Sequence, residues 1–264
     1  MRKGALHIHS RNSDGEFTLK ELRNMFLGEN CSFLCMTDHA EYFDEDSVQR
    51  YVAECEAFSD AQFRFVPGLE YRCERDMHIL GYYATRLTQS TDPQEVIRHI
   101  DAQQAISVIA HPKDEFVEWI ETFSTLPQGI ETWNTKYDGR YAPRPGTFAL
   151  LQRLKQRAPE THAFYGLDLH WKRQFRNFFV ELDCGSVETA AIMAALRRGN
   201  YCALKDELRL PSSGVLPAQL LDQFGRVHAR SHGMRRLLKN GKKILDRAGI
   251  RVPESLKSRL RRIF

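Results

Sequence analysis

The sequence has no apolar run approaching the about 18 residues needed to cross a bilayer, so no membrane-spanning helix is expected. Its start, Met1-Arg2-Lys3-Gly4-Ala5-Leu6-His7, turns polar too early for a secretory signal. Cysteine is scarce and poorly spaced for chemistry. The six residues at 31, 35, 55, 73, 184 and 202 form neither a zinc ribbon nor a Cys-x-x-Cys redox pair. They read as core thiols in the reducing environment of a cytoplasmic protein. No Gly-x-Gly-x-x-Gly turn follows the first strand-like segment, which argues against a dinucleotide-binding fold. Repeats and low-complexity stretches are absent as well, so a repeat architecture is not expected.

What remains is a chain of 264 residues, 42% apolar, enough for one large core. Strand-like runs are Ala5–His9, Ser32–Thr37, Phe63–Val66, His78–Tyr83, Ile106–Ala110, Gly129–Trp133, Ala163–Leu167 and Phe178–Leu182. Helical patterns lie between them near 18–28, 45–60, 92–104, 114–122, 146–157 and 187–198, the first opened by the capping-box residues Thr18-Leu19-Lys20-Glu21. This alternation is the pattern of βα units on a parallel sheet, and with about seven units closure into a barrel is favoured over an open sheet.

Charge divides the chain differently. Residues 205–264 hold 15 Lys/Arg against 5 Asp/Glu, whereas the first 204 hold 23 against 29. We therefore expect an acidic body, 1–204, and a basic C-terminal extension, 205–264, with different jobs. Pro211-Ser212-Ser213-Gly214 reads as a linker. Beyond it apolar residues recur at helical spacing, with Gly225, Gly233 and Gly241 favouring two or three short helices over one.

Ligand-type residues gather at the strand ends. His7 and His9 stand two apart in an extended segment, so both imidazoles face one way. Asp14-Gly15 follows, Thr37-Asp38-His39 ends the second run, and Gly68-Leu69-Glu70 follows the third. His78 opens the fourth run, His111-Pro112 follows the fifth, and Asp168 with His170 follows a later one. Taken singly, each has an ordinary role as a structural histidine, a turn aspartate or a helix cap. Together, six of the ten histidines fall where a parallel barrel builds its active face. Only His78 is awkward, at the start of its run, and a short antiparallel segment there would resolve it.

This ordered set resembles the polymerase and histidinol phosphatase (PHP) family of metal-dependent phosphoesterases over residues 5–185. The resemblance implies a distorted (β/α)7 barrel, here with a basic helical C-terminal tail. It implies a first metal held by His7, His9, Glu70 and Asp168, with Glu70 bridging to a second bound by His78 and His111. Asp14, His39 and His170 would hold a third. Two or three divalent ions are implied, with zinc, manganese and iron all compatible with imidazole and carboxylate ligands. Glu131-x-x-Asn134 would support the ligands from outside.

The implied activity is that of a phosphatase or other phosphoric ester hydrolase, acting through a metal-activated hydroxide on a small phosphorylated metabolite or nucleotide. Clustered divalent ions offset the substrate's charge and lower the pKa of bound water from 15.7 toward about 7. Asp168, His170 and His39 are the candidates for proton transfer. Arg144, Lys172, Arg72 and Lys113, with Lys136 and Arg140, are candidate phosphate-binding cations, Arg144 and Lys172 preferred. The segment from His78 to His111 is shorter than in nucleotide-processing members of the family, which argues for a more open site or a different substrate. The tail has three readings: packing on the barrel with solvated charges, lying on an anionic membrane surface, or steering a polyanion such as RNA in a nuclease. A non-catalytic metal-binding regulatory protein is the remaining alternative, and the intact ligand set argues against it.

Overall fold

A computed structural model of the protein describes residues 1–247. The strands are β1 (Arg2–Ile8), β2 (Phe33–Met36), β3 (Asp38–His39), β4 (Arg64–Val66), β5 (Gly68–Arg72) and β6 (His78–Tyr82). They continue with β7 (Ile106–Ile109), β8 (Gly129–Asn134), β9 (His162–Gly166), β10 (Phe178–Leu182), β11 (Tyr201–Lys205) and β12 (Leu208–Pro211). The helices are α1 (Leu19–Leu27), α2 (Glu45–Ala57), α3 (Pro93–Asp101), α4 (Val117–Glu121), α5 (Pro145–Lys155), α6 (Thr189–Arg197) and α7 (Ala218–Arg247). Every residue of β2, β4, β7, β8 and β9 is buried, so these strands show no alternation of apolar and polar faces, and β2 (Phe-Leu-Cys-Met) is apolar throughout.

Local chemistry sets the helix starts. Thr18 and Glu21 form the reciprocal capping box of α1, and Asp44 with Ser47 forms that of α2. In α3, Asp92 caps and Pro93 takes the first turn, where no N–H is required. The apolar faces of these helices, such as Val96, Ile97 and Ile100 of α3, close over the sheets.

The strands form two six-stranded sheets, ordered β12-β11-β10-β1-β2-β4 and β3-β5-β6-β7-β8-β9. An all-parallel sheet is not what forms. Half of the ten strand pairs are antiparallel. The segment between β5 and β6 is too short for a crossover, so β6 returns as a hairpin and then also runs antiparallel to β7. The sheets meet along β1. Leu167 N donates to Leu6 O at 3.1 Å, His9 N to Leu169 O at 3.1 Å and Leu169 N to His7 O at 3.3 Å. Only Thr37 separates β2 from β3, and only Pro67 separates β4 from β5.

Three expectations change here. The residue 204/205 boundary falls within β11, and β12 joins the first sheet where a linker is expected to begin. α7 runs as one helix from Ala218 through Gly225 and Gly233, and the rest of the expected helical tail, 248–264, lies outside the described residues. A glycine costs about 1 kcal/mol in a helix interior, which docking can offset. Here Phe224 is buried against Trp133, with Leu220, Leu221 and Val227 alongside. All six cysteines are free, but only Cys31, Cys35, Cys55 and Cys73 are core residues. Burial pushes the Cys31 and Cys73 thiols up to about 12, leaving them inert. Cys184 and Cys202 are half-buried. Among the described residues, no helix is long and apolar enough to cross a membrane.

Candidate metal centre

Backbone geometry aims the first ligands. β1 pairs with β2 in parallel, but the register slips between Leu6 and Ile8, and His7 adopts a left-handed φ of 61°. This bulge, rather than plain strand alternation, makes the His7 and His9 rings converge. Their centroids lie 5.2 Å apart at 46°, whereas two regular strand steps span about 6.6 Å. His111 and Asp168, just beyond β7 and β9, also have positive φ, 30° and 53°. Left-handed backbone is costly for non-glycine residues and persists only where the surroundings enforce it. The antiparallel course of β6 settles the position of His78. Its first residue faces Arg72, at the end of β5, so His78 reaches Glu70 from the same edge.

All nine ligand-type residues meet. Glu70 lies at the centre, and its two oxygens face different histidines. Oε2 is 3.3 Å from His7 Nε2, 3.1 Å from His9 Nε2 and 3.6 Å from His39 Nδ1. Oε1 is 2.7 Å from His78 Nδ1 and 3.3 Å from His111 Nε2. Asp168 Oδ1 lies 3.9 Å from the Nε2 atoms of His7 and His9 and 3.1 Å from His170 Nδ1. Asp14 Oδ1 completes the far side, 3.2 Å from His170 Nε2, 3.7 Å from His39 Nε2 and 3.8 Å from His9 Nδ1. Four overlapping sets have donor atoms all within 4.8 Å of one another: His9, Asp14, His39 and His170; His7, His9 and Asp168; His7, Glu70 and His111; and His39, Glu70 and His78.

The surroundings hold this cluster rigidly. Glu131 Oε1 accepts from His7 Nδ1 at 2.7 Å, which leaves Nε2 facing the cluster. Its other oxygen accepts from His111 N and from Asn134 Nδ2, and the same amide nitrogen lies 3.2 Å from Asp168 Oδ2. Glu131 and Asn134 thus take the supporting place expected of them. Asp38, beside the candidate ligand His39, is not part of the cluster. It accepts from Ser10 N, Ser10 Oγ and Ser13 Oγ and so pins the loop that carries Asp14. Nothing in the local Thr37-Asp38-His39 sequence discloses that contact, because its partners lie 25 and 28 residues away.

The donor atoms fit divalent cations. His9 is fully buried, yet neither ring nitrogen makes a hydrogen bond, and Asp14 Oδ1 and His39 Nδ1 are likewise buried without one. Buried polar atoms need partners. Burial also presses His9 down to about 3, which keeps its imidazole neutral and its lone pair available. Glu70 and Asp168 stay ionised well below the usual carboxylate range: burial alone would raise them, but facing imidazoles outweigh it, His7 foremost. A hard or borderline cation with mixed imidazole and carboxylate ligands suits this donor set.

No protein-family model matches the sequence, and no curated protein matches it. Solved structures do. A two-domain protein from Bacteroides vulgatus ATCC 8482, containing a predicted PHP-like metal-dependent phosphoesterase, superposes with a TM-score of 0.57 at 15% identity. The match covers 79% of this chain and 66% of that one. The fold is PHP-like. PsfC from Pseudomonas syringae PB-5123 shares it at a TM-score of 0.51 and 13% identity, over 87% of this chain and 98% of that protein.

In this PHP-like fold the candidate cations occupy distinct places. Lys136, not one of the preferred pair, comes nearest to the cluster. Its Nζ donates to Asp168 Oδ1 at 2.9 Å and lies 3.4 Å from both His170 ring nitrogens. Its signal in sequence is its position two residues after Asn134. Arg144 is engaged by the buried Asp138 at 2.5 Å and by Asp114, so it holds the 134–144 loop. Arg72 and Lys113 both pair with Asp76, whose carboxylate lies 3.8 Å from His78. Lys172 is exposed, its backbone N–H bound to Glu16. Arg140 stacks on Tyr141.

The histidine cluster carries a pH signature. Burial works against His170, but Asp14 and Asp168 outweigh it and lift its pKa to about 9. That protonation stabilises the metal-free fold below pH about 6.5, and the contribution is lost as pH rises through about 9. A cation bound at Asp14, His39 and His170 must displace the proton. Its apparent affinity should therefore rise about tenfold per pH unit from 6.5 to 9 and level off above. Calorimetric titration in buffers of different ionisation enthalpy checks this. Affinity independent of pH over that window would exclude His170 as a ligand.

Proposed function

We propose that this protein is a metal-dependent phosphoesterase of the PHP type, a hydrolase of phosphate esters on a distorted (β/α)7 barrel. The observation that carries the reading is the meeting of nine ligand-type side chains around Glu70, with buried donor atoms on His9, Asp14 and His39 that make no hydrogen bond. Support for the barrel comes from the hydrogen bonds that join β1 to the segment after β9.

His7, His9, Glu70 and Asp168 would hold one ion, Glu70, His78 and His111 a second, and Asp14, His39 and His170 a third, His9 also facing this last group. When bound, such ions neutralise phosphoryl charge and acidify water at the site. The chain supplies the rest. The Lys136 ammonium, held by Asp168, is the cation best placed to receive a phosphoryl oxygen. Asp168 Oδ1 and His170 Nδ1, 3.1 Å apart, form a ready path for a proton leaving water and reaching the departing oxygen. Ser10 and Ser13, the hydroxyls beside the ligand loop, are committed to Asp38 and are not free nucleophiles.

The test is a panel of phosphate esters offered to protein reconstituted separately with manganese, zinc and iron. Turnover should appear with at least one metal and disappear on chelation. No turnover with any of them overturns the reading.

A further inference from the structure

Eight of the nine ligand-type residues lie in a strand or within four residues of a strand's end, but Asp14 does not. It stands six residues beyond Ile8, on a turn. Its side chain is 34% exposed, whereas none of the other eight exceeds 14%. Loop residues are the more mobile ones, so a ligand in this place depends on whatever holds its loop. Two clamps do so. On one side, Glu16 N donates to His170 O at 2.7 Å. On the other, the buried Asp38 carboxylate accepts from Ser10 N at 2.7 Å, Ser10 Oγ at 2.9 Å and Ser13 Oγ at 2.6 Å. Between the clamps the loop is wound on itself, with Ser13 N and Gly15 N both donating to Ser10 O, at 3.1 and 2.9 Å.

Asp38 is itself fixed from behind. Within β3 it lies beside Leu69 of β5, and the next residue, His39, lies beside Glu70. Successive strand residues face opposite sides, so His39 turns into the cluster and Asp38 turns toward the loop. Tyr51 of α2, also buried, donates to Gly68 O at 3.2 Å and interacts with Asp38. We propose that Asp38 is the positioning residue of the third ion. It holds Asp14 through Ser10 and Ser13, so its loss weakens the Asp14, His39 and His170 set and spares the other two. The inference rests on the three-ion reading above and names the residue that governs one of those ions. The physical cause is preorganisation. A carboxylate on a free loop has to be ordered when the cation arrives, and that entropy is subtracted from the affinity. Asp38 does the ordering in advance. Burying its charge is costly without hydrogen bonds, and the three donors that offset the cost all come from the four residues before Asp14. A carboxylate serving only the core would not concentrate its bonds on the approach to one ligand.

Titration of the metal-free protein with manganese, followed by calorimetry and by metal content after gel filtration, tests this. Asparagine keeps the shape of Asp38 but removes its charge and places a donor among hydroxyls that now donate. Asp38→Asn and Ser13→Ala should each weaken the binding of one ion by about tenfold or more and leave the other two at wild-type affinity. Asp14→Ala identifies which ion that is. In an Asp14→Ala protein, adding Asp38→Asn should change none of the remaining affinities, because both substitutions act on the same site. Equal weakening of all the ions overturns the inference, since that is the mark of a general structural role. So do wild-type affinities in both single variants, or a further loss in the Asp14→Ala background. If Asp38→Asn does not fold, Ser13→Ala, a substitution on the half-buried loop, decides by the same readout. A wild-type protein that binds only two ions, both unaffected by Asp14→Ala, removes the third set and the inference with it. Failure of every phosphate ester to turn over would sink the phosphoesterase reading and leave this result intact, because it is read from binding alone.

Discussion

Replacing Glu70 with glutamine should lower kcat/KM for phosphate-ester hydrolysis by about a thousandfold and reduce the metal content of the purified protein. The reason is geometric. Among the described residues Glu70 is the one carboxylate within 3.6 Å of five imidazoles, and its two oxygens divide them into separate sets. Glutamine keeps the volume but removes the charge and turns one acceptor into a donor facing histidines. Two cations that share the bridging carboxylate would then repel each other with less compensation. Losing several kcal/mol of charge stabilisation, at 1.36 kcal/mol per tenfold, gives the thousandfold figure. A second readout needs no metal. The histidines hold the Glu70 carboxyl well below its usual 4.5 against the opposing effect of burial. Its contribution to stability is thus present above pH 4.5 and lost as pH falls toward the folded-state value. The variant should lack that acid-dependent step in urea unfolding. Near-wild-type turnover with full metal content would remove Glu70 from the centre of the site.

The second large effect is expected from residues that touch no metal. Glu131→Ala should weaken metal binding by about 10–100-fold, the usual cost of losing a carboxylate that orients a ligating histidine. It strands His7 Nδ1, the His111 N–H and the Asn134 amide in a buried setting. That should also cost about 3 kcal/mol of stability. Gly166→Ala provides an independent route to the same defect. A Cβ on Gly166 would fall 1.8 Å from Glu131 Oε1 and 3.1 Å from His7 Cβ, so the carboxylate must move off His7. Competition with a chromophoric chelator, together with thermal unfolding, measures both effects. If Gly166→Ala binds metal as tightly as wild type, Glu131 does not position His7.

Much of this was legible in the sequence for a physical reason. The strand Phe33–Met36 is buried on both faces and appears as an unbroken apolar run, and Ile106–Ile109 is broken only by Ser107. Helix starts such as Thr18 and Asp92 are fixed by side chains within three residues of the cap. The strands missed were of another kind. β3 is two residues long, β5 continues β4 across Pro67, and β11 with β12 forms a hairpin hidden in the charged region. The site was legible because its donors occupy strand ends in chain order. The ranking of the cations was not. Arg144 was one of the two preferred cations, but the buried carboxylate of Asp138 claims it, and Lys136 comes nearest to the cluster instead.

The sequence alone determined an α/β body and nine ligand-type residues gathered at strand ends. These follow from residue type and short-range spacing, whereas the supporting place of Glu131 and Asn134 followed only from the family resemblance. The tertiary structure decided how the donors meet. It supplied the left-handed backbone at His7, His111 and Asp168, and the antiparallel β6 that brings His78 to Glu70. These features depend on contacts such as His7 with Glu131, separated by 124 residues. No local pattern encodes a contact of that range, because its energy exists only once both strands are packed.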